Sequence, residues 1–176
     1  ANVKVTSDEN ILRQAEKIVL PGVGAFGDCM QNLNATGLVP ALRDMVAAGY
    51  PLLGICVGLQ ILFENSEESP GIAGLGLLKG TVRKIKAPGL KVPHMRWNSL
   101  TIQEPRQKLD LFQGLEAIPY VYFVHSYHAV PATSSILTAT TTYGEELTAA
   151  VAQGNIQATQ FHPEKSGNVG LSILRN

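Results

Sequence analysis

Two short stretches of this sequence hold residue types that can attack a carbonyl group. In Gly54-Ile55-Cys56-Val57-Gly58 a cysteine sits where an apolar run, residues 51–55, gives way to a helix-like segment, 59–64. A nucleophile at a strand-to-helix turn needs small neighbours, because the chain bends sharply and other backbone comes close. The N-terminus of a helix carries partial positive charge, so the thiol there is expected to lean toward thiolate, its reactive form. A thiol nucleophile needs a base, and Gln160-Phe161-His162-Pro163-Glu164 supplies one. Proline extends the residue before it, and in extended chain positions two apart point the same way. Glu164 therefore falls on the side of His162, where it can orient one ring nitrogen while the other meets the thiol.

A tetrahedral intermediate also needs donors for its oxyanion. The backbone N–H of Val57, just after the nucleophile, is the first. Pro21-Gly22-Val23-Gly24 follows a second apolar strand, 17–20, and can bring another N–H alongside from the Gly22–Val23 turn.

The elements that must hold these groups follow from apolar spacing. Residues 3–5 read as a short strand, and Asp8 caps a helix reaching residue 15. Between 28 and 48, Met30, Leu33, Leu38, Leu42 and Val46 recur at helical spacing, with a break near Gly37 and a stop at Gly49. Two strand–helix–strand passages in succession predict an α/β fold with an open, mostly parallel sheet and flanking helices. The second half reads as short strands at 81–85, 99–102, 121–127, 136–142, 147–152 and 156–161, several of them antiparallel additions, then a closing helix at 169–174. The opening strand is edge-like, whereas open parallel sheets begin near their middle, so a first strand–helix unit is expected upstream. Residues 1–176 read as a single domain, without repeats or linkers.

Charge and composition narrow the function. The 14 Lys+Arg and 14 Asp+Glu cancel, which argues against the basic excess of a nucleic-acid binder. With 45% hydrophobic and 16% charged residues the chain is expected to bury a core. Cys29 and Cys56 are too few for a disulfide framework, and the longest apolar run, 51–63, is too short for a membrane span. A cytoplasmic protein is the expectation.

The motif GICVGLQ (54–60) together with QFHPEKS (160–166) resembles the triad, or class-I, glutamine amidotransferases. Within them, LPGVGAFGD (20–28), VPHMRWN (92–98) and YFVHSYHAV (122–130) resemble the glutaminase subunits of imidazole glycerol phosphate synthases, in order and spacing from residue 3 to 176. The resemblance implies a triad of Cys56, His162 and Glu164, an oxyanion hole at Val57, Val23 and Gly22, and glutamine held by Gly24, Gln60, His125, Ser126 and Tyr127. It implies hydrolysis of glutamine to glutamate and ammonia, with no cofactor and no metal. The ammonia would pass to a cyclase subunit that makes imidazole glycerol phosphate and aminoimidazole carboxamide ribotide in histidine biosynthesis. Met95, Trp97, Asn98, Tyr122 and Lys165 would meet that partner in a heterodimer. Two other readings use the same residues: a free-standing Cys–His γ-glutamyl hydrolase, and a catalytically silent docking domain.

Two departures from the family pattern stand out. The family's opening strand and helix lie outside this sequence, and Arg96 stands where the segment usually carries glycine. Of the remaining residues, Cys29 reads as a packed thiol and Glu67 and Glu68 as a solvated pair. His94, His125 and His128 lack the clustering of a metal site.

Overall fold

The computed structural model describes residues 2–103 and 111–176. Asp8 caps the first helix, α1 (Glu9–Arg13), by accepting the Asn10 N–H at 2.7 Å. Strand β1 (Ile18–Gly22) leads to α2 (Phe26–Ala35) and α3 (Val39–Ala47), which bury Phe26, Met30, Leu42 and Met45 in the core before β2 (Leu52–Cys56). Gly49 turns the chain at φ +92°, a conformation that costs glycine little. After the short α4 (Val57–Gln60) come β3 (Asn65–Ser66), β4 (Gly80–Lys84), β5 (His94–Ser99) and β6 (Thr101–Ile102). Then follow β7 (Tyr120–His125), β8 (Tyr127–Pro131), β9 (Leu137–Tyr143), β10 (Glu145–Gln153), β11 (Ile156–Thr159) and α5 (Gly167–Arg175).

Among the described residues the strands form three sheets. The largest runs β1-β2-β11-β10-β9-β6; β3-β4-β8 and the hairpin-like pair β5-β7 are separate. In the large sheet β1, β2 and β11 are parallel, and β10, β9 and β6 are the antiparallel additions. Strand β2 lies between β1 and β11, with Gly22 opposite Cys56 and Thr159 opposite Ile55. The carboxyl ends of three strands thus converge, which is where open α/β sheets gather their chemistry.

Four expectations need correction. Residues 3–5 form no strand: Val3 and Val5 are exposed and pair with no strand among the described residues. The helix expected at 59–64 stops at Gln60, because the carbonyls of Ile61, Leu62, Phe63 and Glu64 accept from Leu75, Leu78, Gly76 and Gly74 instead of from a further helical turn. The segment 121–127 is two strands, broken at Ser126, whose carbonyl accepts the Ile85 N–H. The strand at 99–102 is likewise divided at Leu100, and its first part extends back to His94 because β7 pairs with the whole of β5.

Candidate active site

Cys56 is held in an improbable backbone conformation, φ 56° and ψ −112°, the one positive φ of a non-glycine residue among those described. Such a conformation costs about 1–3 kcal/mol and persists where surrounding structure dictates it. Here neighbouring backbone does so. A β-carbon on Gly58 would lie 1.8 Å from the Leu20 carbonyl oxygen, and one on Gly22 would lie 2.7 Å from the Gly58 nitrogen. Only glycine allows β1 and α4 to approach this closely.

The expected lean toward thiolate does not hold. Burial pushes the Cys56 thiol up to about 11; the Val57 N–H bonded to it works against this, and the Glu164 carboxylate adds to it. Helix α4 has four residues, too few to build a dipole that offsets burial. The group is a neutral thiol near neutral pH and needs a base to become a nucleophile.

His162 leaves β11 beside the end of β2 and is buried. Its Nδ1 lies 2.7 Å from Glu164 Oε1. A carboxylate only accepts, so in the neutral ring Nδ1 carries the proton and Nε2 keeps its lone pair. The backbone here is clamped to β7. The His162 N–H donates to the Tyr122 carbonyl at 3.0 Å, while Ser166 Oγ accepts the Tyr122 N–H at 3.0 Å and donates to the His162 carbonyl at 2.6 Å.

Around these groups the structure brings together most of the residues singled out from the sequence. Gly22 faces Cys56 across the strand pair, and the Val57 N–H points at the thiol. Val23 is exposed, its carbonyl accepting from Cys29 Sγ at 3.3 Å, and Gly24 adopts φ +94°. Cys29 is half-buried and tied to this loop. Gln60 is buried, its amide donating to the Tyr127 carbonyl and to Gln160 Oε1, both at 3.0 Å. His125 Nδ1 is 2.9 Å from that same Tyr127 carbonyl, and Ser126 lies half-buried between them.

Other residues fall differently. Glu67 and Glu68 are bonded to backbone, Glu68 accepting the Phe26 N–H at 2.7 Å and Glu67 the Lys84 N–H at 2.9 Å, so they are not merely solvated. Met95, Trp97 and Tyr122 share one face of the β5–β7 pair, where the Trp97 and Tyr122 rings meet edge-on at 6.3 Å. Lys165 is exposed in the turn after His162. Asn98 lies on the opposite face of β5, half-buried, donating to His94 and to the Thr142 carbonyl. Sequence reasoning missed three residues. Exposed Tyr120 extends the Trp97 face, as its alternation with Tyr122 could have shown. Gln160, whose amide nitrogen is 3.9 Å from Cys56 Sγ, shares the side of His162 two positions on. Ser166 carried no signal, because its role depends on a distant strand. Among the described residues no group of three or more His, Cys, Asp or Glu could hold a metal ion, and no helix is long and apolar enough to cross a membrane.

Comparison with known proteins places this geometry in context. The family described as "Glutamine amidotransferase class-I" matches residues 2–176. The chain is 53% identical over 176 residues to the imidazole glycerol phosphate synthase subunit HisH of Methanothermobacter thermautotrophicus, covering all of this chain and 85% of that one. It is 49% identical over 183 residues to the subunit of the same name from Syntrophotalea carbinolica, covering 99% and 86%. A crystal structure of a glutamine amidotransferase shares the fold at a TM-score of 0.73 and 22% identity, over 98% of this chain and 84% of that one.

Proposed function

Because the chain belongs to the class-I glutamine amidotransferases, we propose that it is the glutaminase subunit of an imidazole glycerol phosphate synthase, making ammonia from glutamine for a cyclase partner. His162 Nε2 takes the proton of Cys56, and the thiolate sulfur bonds to the side-chain carbonyl carbon of glutamine. The carbonyl oxygen becomes an oxyanion opposite the Val57 N–H and a second donor from the Gly22–Val23 turn. His162 returns the proton to the nitrogen as the C–N bond breaks, releasing ammonia and leaving a glutamyl thioester. Water, deprotonated by the same imidazole, then cleaves the thioester to glutamate and free thiol. Glu164 keeps Nδ1 protonated throughout, so Nε2 is always the working nitrogen.

The observation that carries this reading is the buried, neutral thiol at a strained elbow ending β2, with, following the paired strand β11, a histidine whose Nδ1 is bonded to a carboxylate at 2.7 Å. Gln60, Gly24 and the 125–127 segment hold the substrate. The Met95, Trp97 and Tyr122 face, with Lys165, meets the cyclase subunit, to which the carbon–nitrogen chemistry of the ring belongs. The complex works in the cytoplasm.

The test is synthesis by the complex of this chain with the cyclase subunit. Cys56→Ala should abolish synthesis from glutamine and leave synthesis from ammonium salt intact. Glutamine-dependent synthesis surviving in Cys56→Ala would overturn the triad. Full glutaminase activity in the chain alone would favour a free-standing hydrolase.

A further inference from the structure

Beside the substrate segment runs a buried polar chain whose hydrogen-bond directions are all determined. The Tyr127 carbonyl can only accept, so His125 Nδ1, 2.9 Å away, bears the proton. Burial holds His125 neutral, with a pKa of about 3, and its Nε2 is therefore an acceptor. His94 Nδ1 lies 3.0 Å from that nitrogen and must be the donor. Burial and the Arg96 charge lower His94 to about 4, so its Nε2 is in turn an acceptor, facing the Asn98 amide nitrogen at 3.2 Å. The same amide nitrogen donates to the Thr142 carbonyl at 2.9 Å, which fixes the amide's orientation. At the far end the Tyr127 carbonyl also receives the Gln60 amide, whose second hydrogen reaches Gln160, the residue beside Cys56. The His94 ring is itself held between Phe123 and Tyr143, with ring centroids 4.8 and 4.3 Å away.

We infer that His94 is a positioning residue for glutamine: through the one-way chain Asn98–His94–His125 it fixes the Tyr127 carbonyl, and with it Gln60, in the segment where the substrate lies. This rests on the glutaminase reading above. A phenyl ring there would keep the stack on Phe123 and Tyr143 but bond neither His125 nor Asn98. An imidazole placed there bonds through both nitrogens, and its Nδ1–H satisfies His125 Nε2, holding in place the ring whose own Nδ1–H meets the Tyr127 carbonyl. The chain also starts on β5, the strand whose other face carries exposed Met95 and Trp97.

The experiment measures glutamine hydrolysis in the complex with the cyclase for His94→Phe, His94→Asn and Asn98→Ala, alongside ¹⁵N spectra of the histidine rings. In the unaltered chain His125 should appear as the Nδ1-protonated form, the one free histidine disfavours. His94→Phe should raise KM for glutamine about tenfold, leave kcat within about threefold, and shift the His125 Nε2 resonance as that nitrogen loses its donor. His94→Asn, whose amide nitrogen can stand in for Nδ1 as a donor, should restore KM to within about threefold although the ring is gone. A packing role gives the reverse order, since phenylalanine keeps the ring stack and asparagine does not; that order, or an unchanged KM in both, overturns the inference. Asn98→Ala spares every ring and should raise KM about two- to fivefold. An unchanged KM and an unchanged His94 Nε2 resonance there would overturn the inference even if His94→Phe failed to fold. If the unaltered complex hydrolyses glutamine and the variants match it, the relay alone is wrong. An unaltered complex without glutaminase activity would overturn the reading of the whole site, and the role of His94 with it.

Discussion

At the elbow, backbone rests on backbone: Gly58 lies against the Leu20 carbonyl and Gly22 against the Gly58 nitrogen, and the positive φ of Cys56 follows from that contact. His162, on the neighbouring strand, hangs from β7 by directional hydrogen bonds through Tyr122 and Ser166 and is aimed by Glu164. Steric contact of the first kind is all or none, and its failure unfolds the region. Hydrogen bonds of the second kind can lengthen by tenths of an ångström and re-aim a ring. Tyr122 itself lies on the face proposed to meet the cyclase. Under that proposal, a partner docking there would sit one hydrogen bond from the backbone of the base.

The largest effect is expected from breaking the elbow. Gly58→Ala puts a β-carbon 1.8 Å from a backbone oxygen that cannot move aside without disrupting β1. Overpacking of this severity should cost about 3 kcal/mol or more, read as a lowered denaturant midpoint. A midpoint within experimental error of the unaltered chain would show that β1 and α4 can separate, and the contrast with the histidine segment would dissolve.

Breaking the aim of the base should instead spare the fold. Glu164 is half-exposed, so Glu164→Gln should change stability by less than about 1 kcal/mol. Without the carboxylate the ring loses its fixed tautomer, and kcat in the complex should fall about 10²-fold with KM for glutamine unchanged. Equal losses in stability and rate would mean that Glu164 is structural.

The two halves were not equally legible in the sequence. The elbow was readable because part of its constraint is local: Gly54 and Gly58 flank the cysteine two positions to either side, after an apolar strand. The pairing of His162 with Glu164 was readable from the motif but not for the reason of an extended chain: only His162 is extended, and Pro163–Lys165 turns as a 3-10 helix that brings the carboxylate to the ring. What could not be read was the protonation state of Cys56. It depends on burial under the whole domain, and a motif alone suggests the opposite. Ser166 and Asn98 were opaque for a related reason: their partners, Tyr122, His94 and Thr142, are distant in sequence and meet only through strand pairing. The extension of β5 back to His94 was missed because HMRWNS shows no clean alternation, with residues exposed on both faces near an open side of the protein.

Two smaller measurements sharpen the comparison. The Cys56 thiol, raised to about 11 from an ordinary 9.0, should be alkylated by iodoacetamide in the uncomplexed chain about tenfold faster for each pH unit gained up to that value. Peptide mapping separates it from Cys29. The unfolded thiol ionises first, so this residue's contribution to stability is complete below pH 9 and is lost as pH rises toward 11. A rate already flat at pH 8 would mean the elbow stabilises thiolate after all. Ser166→Ala removes the two bonds of the clamp that pass through its hydroxyl, keeps the His162 N–H to Tyr122 carbonyl bond and leaves the Tyr122 N–H without its Ser166 partner. The cost should be about 1–2 kcal/mol, read as a lowered denaturant midpoint.

The smallest effect is expected at Arg96. Glycine at this place in the family would matter if the backbone needed a positive φ or a close approach. Neither holds here, since Arg96 is an ordinary extended residue of β5, opposite Phe123, and exposed. It alternates with Met95 and Trp97, so it falls on the face of His94 and Asn98 rather than on the one proposed to dock. It lines an open groove with Lys91, Val92, Pro93, Met95 and Tyr143, so the groove reaches the edge of the proposed docking face, and the guanidinium there can reach water. An exposed charge of this kind contributes about 0–1 kcal/mol to any contact. Arg96→Gly should therefore leave affinity for the cyclase within about fivefold, the ratio that corresponds to that energy. It should cost the strand about 0.5–1 kcal/mol of stability through added backbone freedom. Titration of the variant against the cyclase, with hydrolysis followed at saturation, checks both. A tenfold gain in affinity would place Arg96 inside the interface. A sharp change in hydrolysis at saturation would mean that its charge, which helps to keep His94 neutral, reaches the substrate through the histidine chain.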